Sequence, residues 1–228
     1  MLKGVFLQAR LTPTYPAKTC SVPLPDVRLR SAYFVERVGA LLLLAVLSPV
    51  IASIAMTICA LSRRSPLVRH TRVGWQGRPL RMVKFRTMWD TDAPRAGFCL
   101  MEDVSSAAPV SKQIGDDRIR SRFARLCRRY SLDELPQLCH VIRGEMSLVG
   151  PRPITQAELD AHYPDCADEV LSMRPGMTGL WQVMGRNNLT YATRRRLDLI
   201  LVRNASVSLY LEVLLRSIPC VINGKGAY

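Results

Sequence analysis

Apolar and polar residues fall into blocks of different period along this chain. Between Val38 and Leu61, 24 residues run without a charge and are rich in Leu, Ile, Val and Ala. At helical rise the run is about 36 Å long, enough to cross a bilayer core. It starts too late and runs too long for a signal peptide, leaving a wholly buried soluble helix as the other candidate. Ser48-Pro49 falls near its middle, where proline removes a backbone hydrogen bond and kinks the helix. Arg28, Arg30 and Arg37 precede the run, and Arg63, Arg64 and Arg69 follow it. The positive-inside bias is asymmetric for a simple span, so two basic flanks fit both ends staying on the cytoplasmic side. A helix broken at Ser48-Pro49 that enters and returns is therefore expected. The alternative is an ordinary proline-kinked span.

The rest of the chain is shorter in period. Residues 1–26 are proline-rich and aperiodic, and are expected to form a loose tail. Residues 67–88 read as a hairpin around Gly74-Trp-Gln-Gly-Arg-Pro79, with Lys84 and Arg86 on one face and Val83 and Phe85 on the other. Residues 89–115 read as a mobile loop. Over residues 117–130, helical spacing puts Arg118, Arg122, Arg125 and Arg129 on one stripe and Ile119, Phe123, Leu126 and Tyr130 on a second. Such a helix suits a membrane surface; packing on a soluble core or on nucleic acid is the other reading. Thr155-Gln-Ala-Glu158 has the form of a capping box opening a helix, and a turn is expected over Arg174-Pro-Gly-Met-Thr-Gly-Leu-Trp181. From Arg194 to Ile218 two amphipathic helices are expected, with Asn204-Ala-Ser206 read as the break between them rather than a glycosylation site.

Composition narrows the partners. A chain of 228 residues, 48% hydrophobic, suits one domain plus appendages. Its formal charge of +14 calls for anionic partners, and nucleic acid, acidic lipid and phosphorylated small molecules all qualify. Seven cysteines form no Cys-x-x-Cys, and no histidine stands at metal-ligand spacing from one. Reduced, mostly buried thiols in a cytosol-facing protein fit that pattern better than a zinc site.

Candidate chemistry concentrates in Arg128-Arg-Tyr-Ser-Leu-Asp133-Glu134-Leu-Pro-Gln-Leu138 and in Gly144-Glu-Met-Ser-Leu-Val-Gly-Pro-Arg152-Pro153. Two adjacent carboxylates beside a row of arginines suit chemistry on a phosphate ester. An ionised carboxylate attacks phosphorus without needing a base, provided cations offset the charge of attacker and substrate. Arg128, Arg129 and Arg152 supply cations, and Glu134 suits a Mg²⁺ ion that takes its other ligands from substrate phosphates. The competing reading is local. Ser131 and Glu134 also have capping-box spacing, although Pro136 sits awkwardly in a helix that starts at Leu132.

With these motifs assembled, the chain resembles the bacterial sugar transferases, the monotopic polyprenyl-phosphate phosphoglycosyl transferases. The shared motifs are Arg72-Val-Gly, Lys84-Phe-Arg-Thr-Met88, Ser131-Leu-Asp-Glu-Leu-Pro-Gln-Leu138, Gly144 to Pro153, Arg174-Pro-Gly-Met-Thr-Gly179 and Gly-Lys-Gly-Ala-Tyr228, in the family's order. The resemblance implies transfer of a sugar 1-phosphate from a UDP-sugar to a polyprenyl phosphate, releasing UMP with Mg²⁺ present. It implies that Asp133 is the nucleophile, that Glu134 meets the metal, and that Arg128 and Arg152 line the phosphate region. Lys84, Arg86 and Arg174, cations of the other shared motifs, complete the expected substrate-binding set. The implied fold is an α-rich α+β one: tail 1–26, membrane-inserted helical segment 27–64, and a small compact catalytic domain over 65–228 with a short β-hairpin and interfacial amphipathic helices. The implied place is the bacterial inner membrane, catalytic domain toward the cytoplasm, with membrane lipid and downstream glycosyltransferases as partners and no nucleic acid.

Several departures from the family pattern stand out. Glu145 replaces the usual Asp, His140 the usual Asn and Glu36 an Asp, while the basic helix carries one extra residue, Arg120, and an Ala where Gly is usual. Two rival readings remain from the residues: a basic nucleic-acid-binding protein, and an inactive membrane scaffold of the same fold. The first leaves the uncharged run unexplained and offers only 7% aromatic residues for base stacking. The intact Asp133-Glu134 pair argues against the second.

Overall fold

A computed structural model of the chain describes residues 29–88, 101–104, 121–185 and 189–224. The apolar run lies in one long helix, α1, Arg30–Ser62. The helix touches the rest of the protein along a single line, Tyr33, Glu36, Ala40, Ile54 and Ile58, spaced to face one side. Elsewhere it is bare: Val46 is 74% exposed and Phe34 70%. A helix this apolar and this exposed is a candidate for the membrane rather than for a core.

The helix does not stop at Ser48-Pro49, where a break was expected; its secondary structure runs through Pro49 without interruption. The reason is local compensation. Pro49 has no N–H to offer the Ala45 carbonyl, and the Ser48 hydroxyl donates to that carbonyl instead, at 2.8 Å. In lipid, where no water can replace a missing donor, such a substitute keeps a proline tolerable.

The hairpin forms as expected. Strands β1 (Leu67–Val73) and β2 (Pro79–Phe85) pair antiparallel, Leu67 opposite Phe85. A third strand, β3 (Met101–Val104), pairs parallel to β1 within the stretch read as loop, giving the order β2-β1-β3. Its four residues carry no alternation to betray them; the pairing is long-range and is reinforced by Arg69 Nε on Asp103 at 2.8 Å. The other residues of 89–115, the tail 1–26, residues 117–120 of the basic helix and the last four residues lie outside the described part.

Helix α2 (Arg122–Arg129) carries the arginine stripe on its exposed face and ends at Tyr130. A 3-10 turn, Leu132–Gln137, follows and leads into α3 (Leu138–Arg143). Next come β4 (Ser147–Val149), α4 (Gln156–His162), α5 (Ala167–Leu171), β5 (Gly176–Thr178) and α6 (Leu180–Met184). The segment read as a plain turn after Arg174 thus contains a strand, which pairs parallel with β4. Two glycines make that approach feasible: a Cβ on Gly150 would stand 2.2 Å from the Arg174 carbonyl, and one on Gly176 would stand 2.1 Å from the Gly150 nitrogen. Helices α7 (Tyr191–Arg203) and α8 (Val207–Asn223) close the chain. The expected break falls between them, where the Ser206 hydroxyl caps α8.

Packing ties the membrane candidate to the domain at both of its ends. Leu29 and Tyr33 join the largest cluster with Val149, Trp181, Leu201 and Val213. Ala40 packs with Leu80, Met82, Leu138 and Val141. Ile54 and Ile58 pack with Phe85 and Cys127. Between them the stretch around Leu41–Leu43 and Val46 is open.

Candidate active site

The acidic pair sits on the 3-10 turn. Ser131 enters it with a left-handed backbone, φ +55°, and its side chain caps nothing. The Glu134 carboxylate, which a capping box would return to Ser131, instead reaches β2 and accepts from Lys84 Nζ at 3.0 Å. The local reading of Ser131-Leu-Asp-Glu is thereby set aside. A 3-10 turn advances about a third of a revolution per residue, so Asp133 and Glu134 leave it in different directions. Asp133 is buried, 3% exposed, beside Cys127. Burial, with the Asp133 charge adding to it, pushes the Cys127 thiol up to about 11, which keeps the thiol uncharged at neutral pH.

A cavity of about 350 Å³ opens on this turn. Its lining carries the polar side chains of Ser131, Glu134, Arg152, Thr178, Gln182 and Ser217. Most of the other lining residues are apolar, among them Leu43 of α1, Leu138, Met177, Trp181 and Leu214. Leu43 also belongs to the open stretch of α1, so the cavity reaches the membrane candidate.

Arg152 comes from the Gly-Pro-Arg-Pro turn, which is pinned from both sides. Gly150 N donates to Thr178 O at 2.9 Å, Gly176 N to Pro151 O at 2.8 Å, and Val73 N to Ile154 O at 2.8 Å. The Arg152 guanidinium lies over Trp181, 5.7 Å from the ring centre, and Arg194 lies 4.9 Å from the same ring. Beneath the turn Asp198 is fully buried, accepting from Tyr163 Oη at 2.9 Å and facing the Arg152 backbone. Desolvation raises the Asp198 carboxyl to about 7, with Tyr163 and Arg152 opposing the rise. The cationic field extends to the hairpin. Burial first, then Arg72, Lys84 and Arg86, lower the His70 imidazole to about 4, so it carries no charge at neutral pH. Burial and the neighbouring Arg152 likewise lower Arg72.

The structure thus joins some expected residues and separates others. Lys84 contacts Glu134, and Glu134 and Arg152 line one cavity. Arg128 is buried in the last turn of α2, five positions before Asp133. Arg86 is not a solvated cation; its Nε donates to the Ser65 carbonyl at 2.8 Å and ties the end of α1 to the hairpin. Arg174 is packed between the rings of Tyr33 and Trp75, 4.6 and 5.0 Å from their centres, and does not line the cavity. Sequence reasoning missed Trp181, Arg194 and Asp198. A carboxylate inside the apolar stripe Leu197, Leu201, Val202 of α7 was the available signal for Asp198. Glu36, noted only as a departure, is buried and accepts from Ser147 Oγ and Leu148 N, both at 2.9 Å, and from the Tyr210 hydroxyl.

Among the described residues no three metal-type side chains cluster. Glu134 is the one carboxylate in the cavity lining, a donor that Mg²⁺ would accept only with most of its shell left to phosphates and water. Such a donor set does not fit a zinc or other fully protein-ligated ion.

Glu134, paired with Lys84 and lining with Arg152 a mainly apolar cavity that reaches an exposed apolar helix, defines a protein built to meet an anionic ligand with an apolar part; Asp133, buried on the same turn, is not among the lining residues. The chain belongs to the bacterial sugar transferase family, whose profile matches residues 29–224. A UDP-galactose-lipid carrier transferase of Erwinia amylovora is 38% identical over 87% of this chain and 42% of its own length. The exopolysaccharide production protein ExoY of Sinorhizobium fredii is 38% identical over 70% of this chain and 71% of its own. A UDP-glucose:undecaprenyl-phosphate glucose-1-phosphate transferase of Caulobacter vibrioides is 37% identical over 90% of this chain and 75% of its own. The chain therefore spans less than half of the Erwinia relative.

Proposed function

We propose that this protein transfers a sugar 1-phosphate from a UDP-sugar to a polyprenyl phosphate, releasing UMP, as the initiating step of exopolysaccharide or glycoconjugate synthesis. The observation that carries it is one cavity lined both by Glu134 and Arg152 and by apolar side chains that include Leu43 of α1. A soluble nucleotide sugar needs only the charged residues. A polyprenyl phosphate needs both kinds, its phosphate beside Arg152 and its first isoprene units against the apolar side chains.

In the first half-reaction an Asp133 carboxylate oxygen bonds to the sugar-linked phosphorus as the bond to the UMP oxygen breaks, leaving an aspartyl phosphosugar and free UMP. In the second, a phosphate oxygen of the lipid attacks the same phosphorus, returning the Asp133 carboxylate and leaving a polyprenyl diphosphate sugar. Arg128 and Arg152 offset the negative charge that gathers at each attack, and Lys84 orients Glu134. Glu134 would hold Mg²⁺, which supplies further neutralisation of the diphosphate. Burial of Asp133 excludes water from an acyl phosphate that water would destroy.

For topology we infer that both ends of α1 stay on the cytoplasmic face of the inner membrane. Both of its ends pack on the same domain, while its open middle carries Leu42 and Val46. A bilayer-spanning α1 would carry one of those ends to the far side. In sealed vesicles, single cysteines near residues 30 and 65, introduced into a cysteine-free chain, should show the same accessibility; protection on opposite sides refutes this topology.

The reaction is tested by exchange. Enzyme, UDP-sugar and Mg²⁺ should exchange labelled UMP without lipid, and Asp133→Asn should abolish exchange while the protein stays folded and membrane-bound. Normal exchange by Asp133→Asn overturns the assignment of the nucleophile.

A further inference from the structure

Two departures from the family pattern, His140 and Glu145, meet each other in the fold. His140 is buried on α3, 3% exposed. Its Nδ1 stands 2.5 Å from Glu145 Oε2, and the backbone amide of Val83 donates to its Nε2 at 3.2 Å. An amide N–H only donates, so Nε2 is bare and the ring proton sits on Nδ1, facing the carboxylate. The turn at Gly144 brings the pair together, because Glu145 N and Met146 N both donate to the His140 carbonyl, at 2.9 and 3.2 Å.

What this pair holds is an edge. Strand β2 lies at the margin of its sheet, so amides on its outer side lack a strand partner. Val83 offers such an amide, and the next residue is Lys84, whose ammonium meets Glu134 at 3.0 Å. Glu145 thus orients His140, His140 anchors β2 at Val83, and β2 presents Lys84 to the residue beside Asp133.

We propose that His140, oriented by Glu145, is a positioning residue that sets Lys84 against Glu134 in the transferase site. The inference rests on the function proposed above. A displacement of about 1 Å at such a contact costs on the order of 10²-fold in rate, so the effect is measurable without any contact to substrate.

The test is coupling to Lys84. His140→Leu is expected to lower lipid-independent UMP exchange by about 10- to 100-fold through kcat rather than KM, and by no more than about twofold in a Lys84→Met background. His140→Gln, whose side-chain oxygen accepts from Val83, should recover most of the rate; Glu145→Gln should lose about 3- to 10-fold, again only when Lys84 is present. Amide hydrogen exchange of the peptide covering β2 should quicken in His140→Leu and return toward the parent in His140→Gln. Equal losses with and without Lys84, or a His140→Gln protein as slow as His140→Leu, overturn the proposal. If His140→Leu does not fold, the His140→Gln and Glu145→Gln proteins decide by the same coupling. A parent that exchanges no UMP, or an Asp133→Asn protein that does, counts against the reaction. In that event the β2 amides still decide whether His140 holds the strand.

Discussion

Two tetrapeptides of the same form meet opposite fates in this fold. Thr155-Gln-Ala-Glu158 closes a capping box: Thr155 Oγ1 accepts from Glu158 N at 3.1 Å, and Glu158 Oε2 accepts from Thr155 N at 2.9 Å. Ser131-Leu-Asp-Glu134 has the same spacing and closes nothing. The difference lies in backbone. Thr155 is extended, as a cap requires, whereas Ser131 is left-handed and opens a 3-10 turn that accommodates Pro136. One glutamate closes its own helix end and accepts from the Tyr191 hydroxyl with its other oxygen; the other crosses to Lys84 and lines a cavity. Spacing alone predicts a cap, and an ill-placed proline together with nearby cations marks the exception.

Substitutions should separate the two. Glu134→Gln is expected to cost on the order of 10²- to 10³-fold in UMP exchange with little change in unfolding midpoint, since it removes charge from a site and not from a cap. A stability loss with full activity would place Glu134 with the caps after all. A third carboxylate extends the contrast, because Asp198 serves neither a cap nor the cavity but lies beneath the Arg152 turn. Its folded value of about 7 stands above the ordinary 3.8. The stability it contributes is therefore complete below the unfolded value and is lost as pH rises through about 7. Unfolding midpoints followed from acid to neutral pH should fall more steeply in the parent than in Asp198→Asn, a difference on the order of a few kcal/mol. Parallel curves would contradict the raised carboxyl. Thr155→Ala should cost about 1 kcal/mol of stability with activity near the parent's. Ser131→Ala should move stability by under about 0.5 kcal/mol, because its hydroxyl caps nothing. Equal costs at both positions would erase the contrast.

What could be read from the chain follows the range of the interactions involved. The long helix, the hairpin, the Thr155 cap and the Ser206 break are local, and each was legible from periodicity or capping residues. Strands β3 and β5 were not, since three or four residues without alternation become strands only when a distant partner arrives. The acidic pair and Arg152 were legible as motifs. The contacts of Arg86 and Arg174 were not legible, because a cation in a motif looks the same whether it meets a ligand, the Ser65 carbonyl or two aromatic rings. The Ser48-Pro49 break was expected from proline alone, without the Ser48 hydroxyl that repairs the helix.

The proposal that Asp133 bonds to phosphorus has its most direct test in the intermediate itself. Active protein mixed with UDP-sugar and Mg²⁺ in the absence of lipid, then quenched and digested, should yield one peptide heavier by a sugar phosphate, with the adduct on Asp133 and lost on adding polyprenyl phosphate. An adduct on Glu134 or another side chain, or none in protein that demonstrably turns over, would contradict it.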